Sequence, residues 1–359
     1  MQEIRISEAN AGQRLNKFLG KYLDDAPQSF LYRMLRKKNI KWNNKKAAGN
    51  EILNTGDTIQ VYMTDETIAK FRKDKMIPVF DAKRQEDALH NPDNRQSVTV
   101  CKDISPVREW EALKGIEIIY EDKDILILNK PAGLLSQKAE AGDYSLNEQI
   151  VDYYGTKPWA DSLFTPSVCN RLDRNTSGII LAGMSLKGSR TLSHMLKERT
   201  LDKYYLTIVS GNIASPSTIK GFLVKKASHN QVLIYKSIED AGKNKEERPA
   251  YIETMYEPLA HGEFRDMEFT LLKVKLITGK THQIRAHLQA VGHPVIGDGK
   301  YGLKSVNALL KREFGLRYQL LHASEITFPC QEELSGTLSG RKFYADLPEK
   351  FCEIKNAIF

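Results

Sequence analysis

The chain has 359 residues, 41% of them hydrophobic, with 13 Phe, 15 Tyr and 3 Trp. It is too long for one average domain and apolar enough for a sizeable core. Lys and Arg total 53 against 45 Asp and Glu, a net charge of +8, which favours a polyanionic partner but is equally met by a plain basic surface. The four cysteines, Cys101, Cys169, Cys330 and Cys352, form no C-x-x-C pair and no zinc-like Cys/His cluster. The charged start Met1-Gln2-Glu3-Ile4-Arg5 is not followed by a signal-like apolar segment. No apolar run approaches the roughly 20 residues of a membrane span. The expectation is a soluble cytoplasmic protein, monomeric by default, without disulfides or a metal.

The first predicted element is a helix over residues 10–23. Leu15, Phe18, Leu19, Tyr22 and Leu23 repeat at the spacing of one apolar face, and Asn10 stands where an N-cap would. A second helix is predicted from Gln28 to Lys38, with Phe30, Leu31, Met34 and Leu35 inward and Arg33, Arg36, Lys37 and Lys38 outward or at its C-terminal end. Those cations either meet a polyanion or simply complement the helix dipole. Short strands follow at Ile40-Lys41-Trp42 and Thr58 to Tyr62, separated by the turn signals Asn43-Asn44 and Gly56-Asp57. Arg33, Arg36, Lys37, Lys38 and Lys41 concentrate charge on one helix and the next strand, and are the candidate RNA contacts of this unit.

From Thr64 to Leu113 the periodicity dissolves, with Pro78, Pro92 and Pro106 interrupting a charged stretch. This predicts a linker with one short helix near Ile68–Lys75. Residues 114–359 read as one larger domain of mixed helix and strand. Strands are predicted at 116–120, 125–128, 179–182, 204–209, 269–276 and 325–328, and helices at 185–198 and 282–291.

Three segments of this domain carry chemistry. Arg171-Leu172-Asp173-Arg174-Asn175-Thr176-Ser177-Gly178 sets one carboxylate between two arginines, which favour its ionised form. On these residues alone, Asp173 is either a nucleophile or base, or a structural ion pair. Lys203-Tyr204-Tyr205-Leu206 puts two aromatics on opposite faces of a strand, so one of them faces the core. Thr278-Gly279-Lys280-Thr281-His282-Gln283-Ile284-Arg285-Ala286-His287 opens a helix after a glycine, an arrangement able to hold an anion. The histidines lack a metal-binding spacing, and Arg285 lies among them.

Together these segments, the third followed by Val295-Ile296-Gly297-Asp298 and Tyr301-Gly302, resemble the RluA-type RNA pseudouridine synthases, with further agreement at Tyr120-Glu121-Asp122, Asn129-Lys130-Pro131-Ala132-Gly133 and Leu320-Leu321-His322-Ala323. The resemblance implies an α+β catalytic domain built on a mixed, largely antiparallel sheet with a central cleft. It implies catalysis by Asp173, a base-stacking role for Tyr205, pairing of Arg285 with Asp173, and a hold on the flipped nucleotide by Arg171. Residues 1–63, with Arg14-Leu15-Asn16-Lys17-Phe18-Leu19 and Thr55-Gly56-Asp57, resemble the αL RNA-binding domain of ribosomal small-subunit protein four. The implied organisation is an αL-type domain at 1–63, a linker at 64–113 and a synthase domain at 114–359. The implied function is conversion of uridine to pseudouridine without a cofactor, in large-subunit (23S) ribosomal RNA. The alternatives are a tRNA target, or a non-catalytic RNA-binding or ribosome assembly factor on the same fold.

Overall fold

The computed structural model describes residues 1–7, 10–72, 112–160, 163–226, 231–242, 248–330 and 338–359. Most of the expected linker therefore lies outside the described residues. The chain divides into two compact units: residues 1–112 with 150–167 and 183–190, and residues 113–149 with 168–182 and 191–359. Residues 150–167 and 183–190, grouped by sequence with the larger domain, fall in the first unit.

The first unit begins with β1 (Gln2–Arg5), α1 (Leu15–Tyr22), α2 (Gln28–Arg36), β2 (Ile40–Trp42), β3 (Lys45–Lys46), β4 (Thr58–Val61) and α3 (Asp65–Lys70). Its small antiparallel sheet has the order β1-β4-β2-β3. Leu15, Phe18, Leu19 and Tyr22 of α1 and Leu31, Met34 and Leu35 of α2 are buried with Ile40, Ile59 and Val61 of the sheet. The spacing that predicted two amphipathic helices is thus the spacing that fills this core.

Several boundaries differ from the sequence reading, and two in this unit have a clear local cause. Asn10 caps no helix: its amide donates to Ser7 and accepts from Gln13, and α1 starts at Leu15. Gly12 adopts φ 78°, which an α-helix cannot pass through, and the N–H groups of Leu15 and Asn16 donate to Glu51 and Gly49 carbonyls at 2.9 and 2.8 Å. The helix expected near Ile68 starts at Asp65, because the Thr64 hydroxyl accepts from the Thr67 N–H at 3.3 Å. The turn at Asn43 and Asn44 takes φ 48° and 62°, the left-handed pair of a tight hairpin. Asp57 fixes that turn, accepting from Trp42 Nε1 at 2.9 Å, Asn43 Nδ2 at 2.8 Å and the Asn54 N–H at 2.7 Å.

The later elements are β5 (Glu117–Glu121), β6 (Ile125–Lys130), α4 (Leu146–Gly155), β7 (Ser167–Val168), β8 (Ser177–Gly183), α5 (Leu186–Glu198), β9 (Asp202–Ser210), β10 (Ser217–Lys226), β11 (Gln231–Tyr235), α6 (Ile238–Gly242), β12 (Ala250–Phe264), β13 (Met267–Leu276), α7 (Gln283–Ala290), α8 (Lys304–Phe314), β14 (Leu321–Thr327), β15 (Lys342–Tyr344) and α9 (Glu349–Ile358). They build an 11-stranded mixed sheet whose main path runs β11-β10-β12-β13-β9-β14-β8-β6-β5. β14 runs antiparallel to β9 and β15 but parallel to β8. Val306 and Leu310 of α8 and Phe351, Ile354 and Ile358 of α9 pack with Ile208, Phe269 and Ile296. Ala286 of α7 packs with Leu223, Val232 and Ile252. Among the described residues no helix is long and apolar enough to cross a membrane.

Candidate active site

Asp173 lies in the loop between β7 and β8, and that loop is clamped from below by the residues that follow β6. The Gly133 N–H donates to the Arg174 carbonyl at 2.9 Å, and Arg174 Nε returns a bond to the Gly133 carbonyl at 3.1 Å. The Leu172 N–H donates to Ser136 Oγ at 3.1 Å, whose hydroxyl donates to the Leu172 carbonyl at 2.8 Å. Lys130 is fully buried, and its Nζ donates to the carbonyls of Pro131, Leu134 and Arg174 at 2.9, 2.9 and 3.2 Å. Burial pushes its pKa down to about 7, against the raising charge of Asp173. An ammonium has three donors, and here three carbonyls from both loops meet it.

The Asn-Thr-Ser-Gly tail of the same segment fastens the loop to β14. Gln319 Nε2 donates to Thr176 Oγ1 at 3.1 Å. His322 Nε2 lies 3.1 Å from the Ala345 carbonyl and Nδ1 lies 2.9 Å from Ser177 Oγ. A carbonyl only accepts, so Nε2 carries the proton and Nδ1 accepts from Ser177. Burial pushes His322 down to about 4, outweighing the Ala345 bond and the Asp346 charge. Gly178 has φ 111°, and a Cβ there would stand 2.3 Å from the Ala323 carbonyl oxygen. Only glycine allows β8 to approach β14 this closely.

α7 supplies the counter-charge. Arg285 is 5% exposed and Asp298 is wholly buried. Arg285 Nε and Nη2 donate to the two oxygens of Asp298 at 2.6 and 2.8 Å, and Nη1 donates to Asp173 Oδ2 at 2.8 Å. The guanidinium also stacks on Tyr301, 5.1 Å from the ring centroid. Burial works against the Arg285 charge, but the bonds and charges of Asp298 and Asp173 outweigh it and hold the group protonated. Burial likewise raises the Asp298 pKa, and the Arg285 bond with the Lys300 and Tyr301 N–H groups brings it below the usual carboxylate range. The Asp173 side chain remains 26% exposed, and among the described residues its Oδ1 accepts no hydrogen bond.

The rest of the α7 segment sets the helix in place. Gln283 Oε1 accepts from Thr278 Oγ1 and the Lys280 N–H at 2.9 and 3.1 Å, while its Nε2 donates to the Glu253 carbonyl and Thr254 Oγ1 at 3.0 Å each. His287 is fully buried against Thr254, Nδ1 to Oγ1 2.8 Å, and burial lowers its pKa to about 4. His282 takes φ 54°, a conformation costing a non-glycine residue about 1–3 kcal/mol. Its Nε2 lies 4.0 Å from Asp173 Oδ2.

The structure therefore brings Asp173 and Arg285 into direct contact. Tyr205 of β9 is 7% exposed. Burial, and then the Asp173 charge, push its phenol up, so it stays neutral at physiological pH. Tyr204, on the other face of the strand, is flanked by Lys273 and Lys275 at 4.5 and 5.5 Å. The Arg171 side chain is exposed. In the first unit Arg33, Arg36, Lys37 and Lys38 are exposed and Lys41 is half-buried, its Nζ 5.0 Å from the Tyr62 ring centroid. Sequence reasoning assigned no role to Lys130, His282, Asp298 or Tyr301. For Asp298 a signal existed: an arginine on the apolar side of a helix needs a buried counter-charge. Among the described residues no three His, Cys, Asp or Glu side chains group to hold a metal ion.

The sequence pattern of the RNA pseudouridylate synthase family matches residues 124–290. A ribosomal large subunit pseudouridine synthase C of Vibrio parahaemolyticus is 30% identical over 335 residues, 93% of this chain and 90% of that protein. Its namesake in Pasteurella multocida is 32% identical over 327 residues, 90% and 85% of the two chains. The solved structure of human RNA pseudouridylate synthase domain containing 4 shares the fold, with TM-score 0.54 at 18% identity over 70% of this chain and 95% of that one. The chain belongs to the RNA pseudouridylate synthases and is an isomerase that converts uridine in RNA to pseudouridine.

Proposed function

We propose that this synthase modifies large-subunit (23S) ribosomal RNA in the cytoplasm, and that Asp173 is the carboxylate that starts the reaction. The observation that carries the catalytic assignment is the ion pair between Arg285 Nη1 and Asp173 Oδ2 at 2.8 Å, which occupies one carboxylate oxygen and leaves the other without a partner among the described residues. The reaction breaks the N1–C1′ bond of uridine, turns the uracil and joins C5 to C1′. One proton leaves C5 and one arrives at N1, so substrate and product are isomers. No electron is transferred and no water consumed, so side chains suffice without a cofactor or metal. The Asp173 carboxylate initiates bond cleavage in one of two ways, by attack on C1′ or by taking a sugar proton. Both need one ionised carboxylate with a free oxygen. Hydrolysis of a glycosidic bond usually engages two carboxylates. The second one here, Asp298, is wholly buried and spent on Arg285.

A uridine inside a helix must first leave its stack, at a cost of a few kcal/mol. Stacking on the Tyr205 ring offsets this by about 1–3 kcal/mol. Arg171, exposed two residues before Asp173, meets the phosphates beside the flipped nucleotide. The small N-terminal sheet and its two helices act as an αL-type RNA grip through Arg33, Arg36, Lys37, Lys38 and Lys41.

The ribosomal target is supported by the names of the relatives, which place their action on the large ribosomal subunit. Pseudouridine-specific chemical mapping of ribosomal and transfer RNA, with and without the gene, tests it. Loss of one or more large-subunit pseudouridines is the expected result. Loss confined to tRNA overturns the ribosomal assignment, and no loss anywhere favours a non-catalytic binder.

A further inference from the structure

His282 stands at the entry to α7 in a left-handed conformation, φ 54°, that a residue without special local demands avoids. Its side chain is 8% exposed and is held from one side by Tyr301. The two rings meet edge to face, centroids 5.7 Å apart at 74°, with the Tyr301 hydroxyl 3.1 Å from His282 Nδ1. The Val232 N–H donates to the same hydroxyl oxygen at 2.9 Å. With that N–H accepted, the Tyr301 proton is free to point at Nδ1. When it does so, the imidazole proton sits on Nε2. Nε2 faces Asp173 Oδ2 at 4.0 Å, the oxygen that Arg285 Nη1 holds at 2.8 Å.

We propose that His282 is a positioning residue for the isomerisation: fixed by Tyr301 as the Nε2–H tautomer, it flanks Oδ2 of Asp173 together with Arg285, so that only Oδ1 is presented to the uridine. The inference rests on Asp173 being the acting carboxylate. The charged groups around the ring are Asp173 and Asp298, which favour its protonation, and Arg285 and Lys300, which oppose it. Burial opposes it most, and the net effect keeps the ring neutral at physiological pH. When the ring does gain a proton in acid, it becomes a second cation on Oδ2 and competes with Arg285. The acid limb of the pH–rate profile then belongs in part to His282.

The test is single-turnover pseudouridine formation by the full chain, over pH 5 to 9, for His282→Gly, Tyr301→Phe and Asp173→Ala. Glycine accepts φ 54° without strain, so His282→Gly removes the ring while leaving the backbone relaxed. Its rate constant is expected to fall on the order of 10- to 100-fold, with RNA affinity and melting temperature close to the parent's. Added imidazole restores part of the rate, and the restoration follows the neutral form. Tyr301→Phe falls in the same direction and shifts the acid limb. A His282→Gly enzyme at parental rate, beside an inactive Asp173→Ala, overturns the inference while leaving Asp173 in place. So does a slow His282→Gly enzyme with an unshifted profile and no imidazole response. An active Asp173→Ala enzyme instead removes the premise itself.

Discussion

Asp298 grips the guanidinium of Arg285 with both carboxylate oxygens, at 2.6 and 2.8 Å, and accepts the Lys300 and Tyr301 N–H groups at 2.8 and 3.1 Å. The arginine therefore cannot rotate, and its remaining nitrogen is aimed at Asp173. Asp298→Ala removes the buried, two-bond partner of Arg285 and the acceptor of the Lys300 and Tyr301 N–H groups, leaving the cation with only the single bond to the partly exposed Asp173, at an expected cost of about 3–5 kcal/mol in stability. Arg285→Lys replaces a fork by a point charge that cannot serve both carboxylates. It should fold, yet lose on the order of 100-fold in kcat. Urea denaturation together with steady-state kinetics separates the two effects. An Arg285→Lys enzyme at parental kcat contradicts this geometry.

Gly178 is a point of close approach between β8 and β14. Alanine there brings Cβ to 2.3 Å from the Ala323 carbonyl oxygen at φ 111°. Overpacking costs about 1–3 kcal/mol, and the strained backbone about as much again. Gly178→Ala should lower the unfolding free energy, read from urea denaturation, by that sum. Alanine at Gly56, whose Cβ would meet nothing within 4 Å, should lose only the backbone part. Equal shifts for the two would mean that the β8–β14 contact is not what demands glycine.

The legible and illegible parts of the chain differ for physical reasons. Helices α1 and α2 announce themselves because their apolar residues repeat at helical spacing over a polar background. β8 and β9 do so because they are short apolar runs rich in branched and aromatic residues. Helices α8 and α9 do not stand out in the sequence: each buries one narrow stripe, Val306 with Leu310 and Phe351 with Ile354 and Ile358, among charged neighbours. The strands β10 and β11, which mix buried and exposed residues, alternate too weakly to stand out. Within the site, Asp173 and Arg285 are legible through motif resemblance. The supporting partners are not, because bonds such as Gln319 to Thr176 or Lys130 to the Arg174 carbonyl join residues 143 and 44 positions apart, and no local pattern encodes them.

Stability should fall in mild acid. His287 and His322 are buried, and burial lowers each to about 4. An unfolded chain protonates both near 6.5. Their folded pKa values are depressed, so below pH 6.5 the unfolded state binds protons that the folded state refuses, and stability is lost progressively down to about pH 4. The slope is about 1.4 kcal/mol per pH unit for each histidine. Urea midpoints measured at pH 7 and pH 5 check this, and His322→Gln should flatten the dependence. A variant with the parental slope would show that His322 is not buried neutral.

The exposed cations at the C-terminal end of α2 and just beyond it should act through phosphate charge. Replacing Arg33, Arg36, Lys37 or Lys38 by Ala, singly, is expected to weaken RNA binding and to lower the slope of log Kd against log salt by about 0.7–1 for each phosphate left without its cation. Their side chains are exposed, so melting temperature should move little. Filter binding to a large-subunit RNA fragment over a range of salt measures the slopes. Unchanged slopes for all four would place the RNA elsewhere.

On the proposed reading one carboxylate, Asp173, initiates the isomerisation. Asp298 still neutralises Arg285 when Asp173 is removed, so Asp173→Ala and Asp173→Asn should fold and bind RNA. The direct measurement is pseudouridine formed per enzyme in large-subunit RNA, read by mass spectrometry after nuclease digestion. None above background is expected for either variant, at parental melting temperature and RNA affinity. Pseudouridine formed at a rate near the parent's by either variant would contradict the assignment of Asp173.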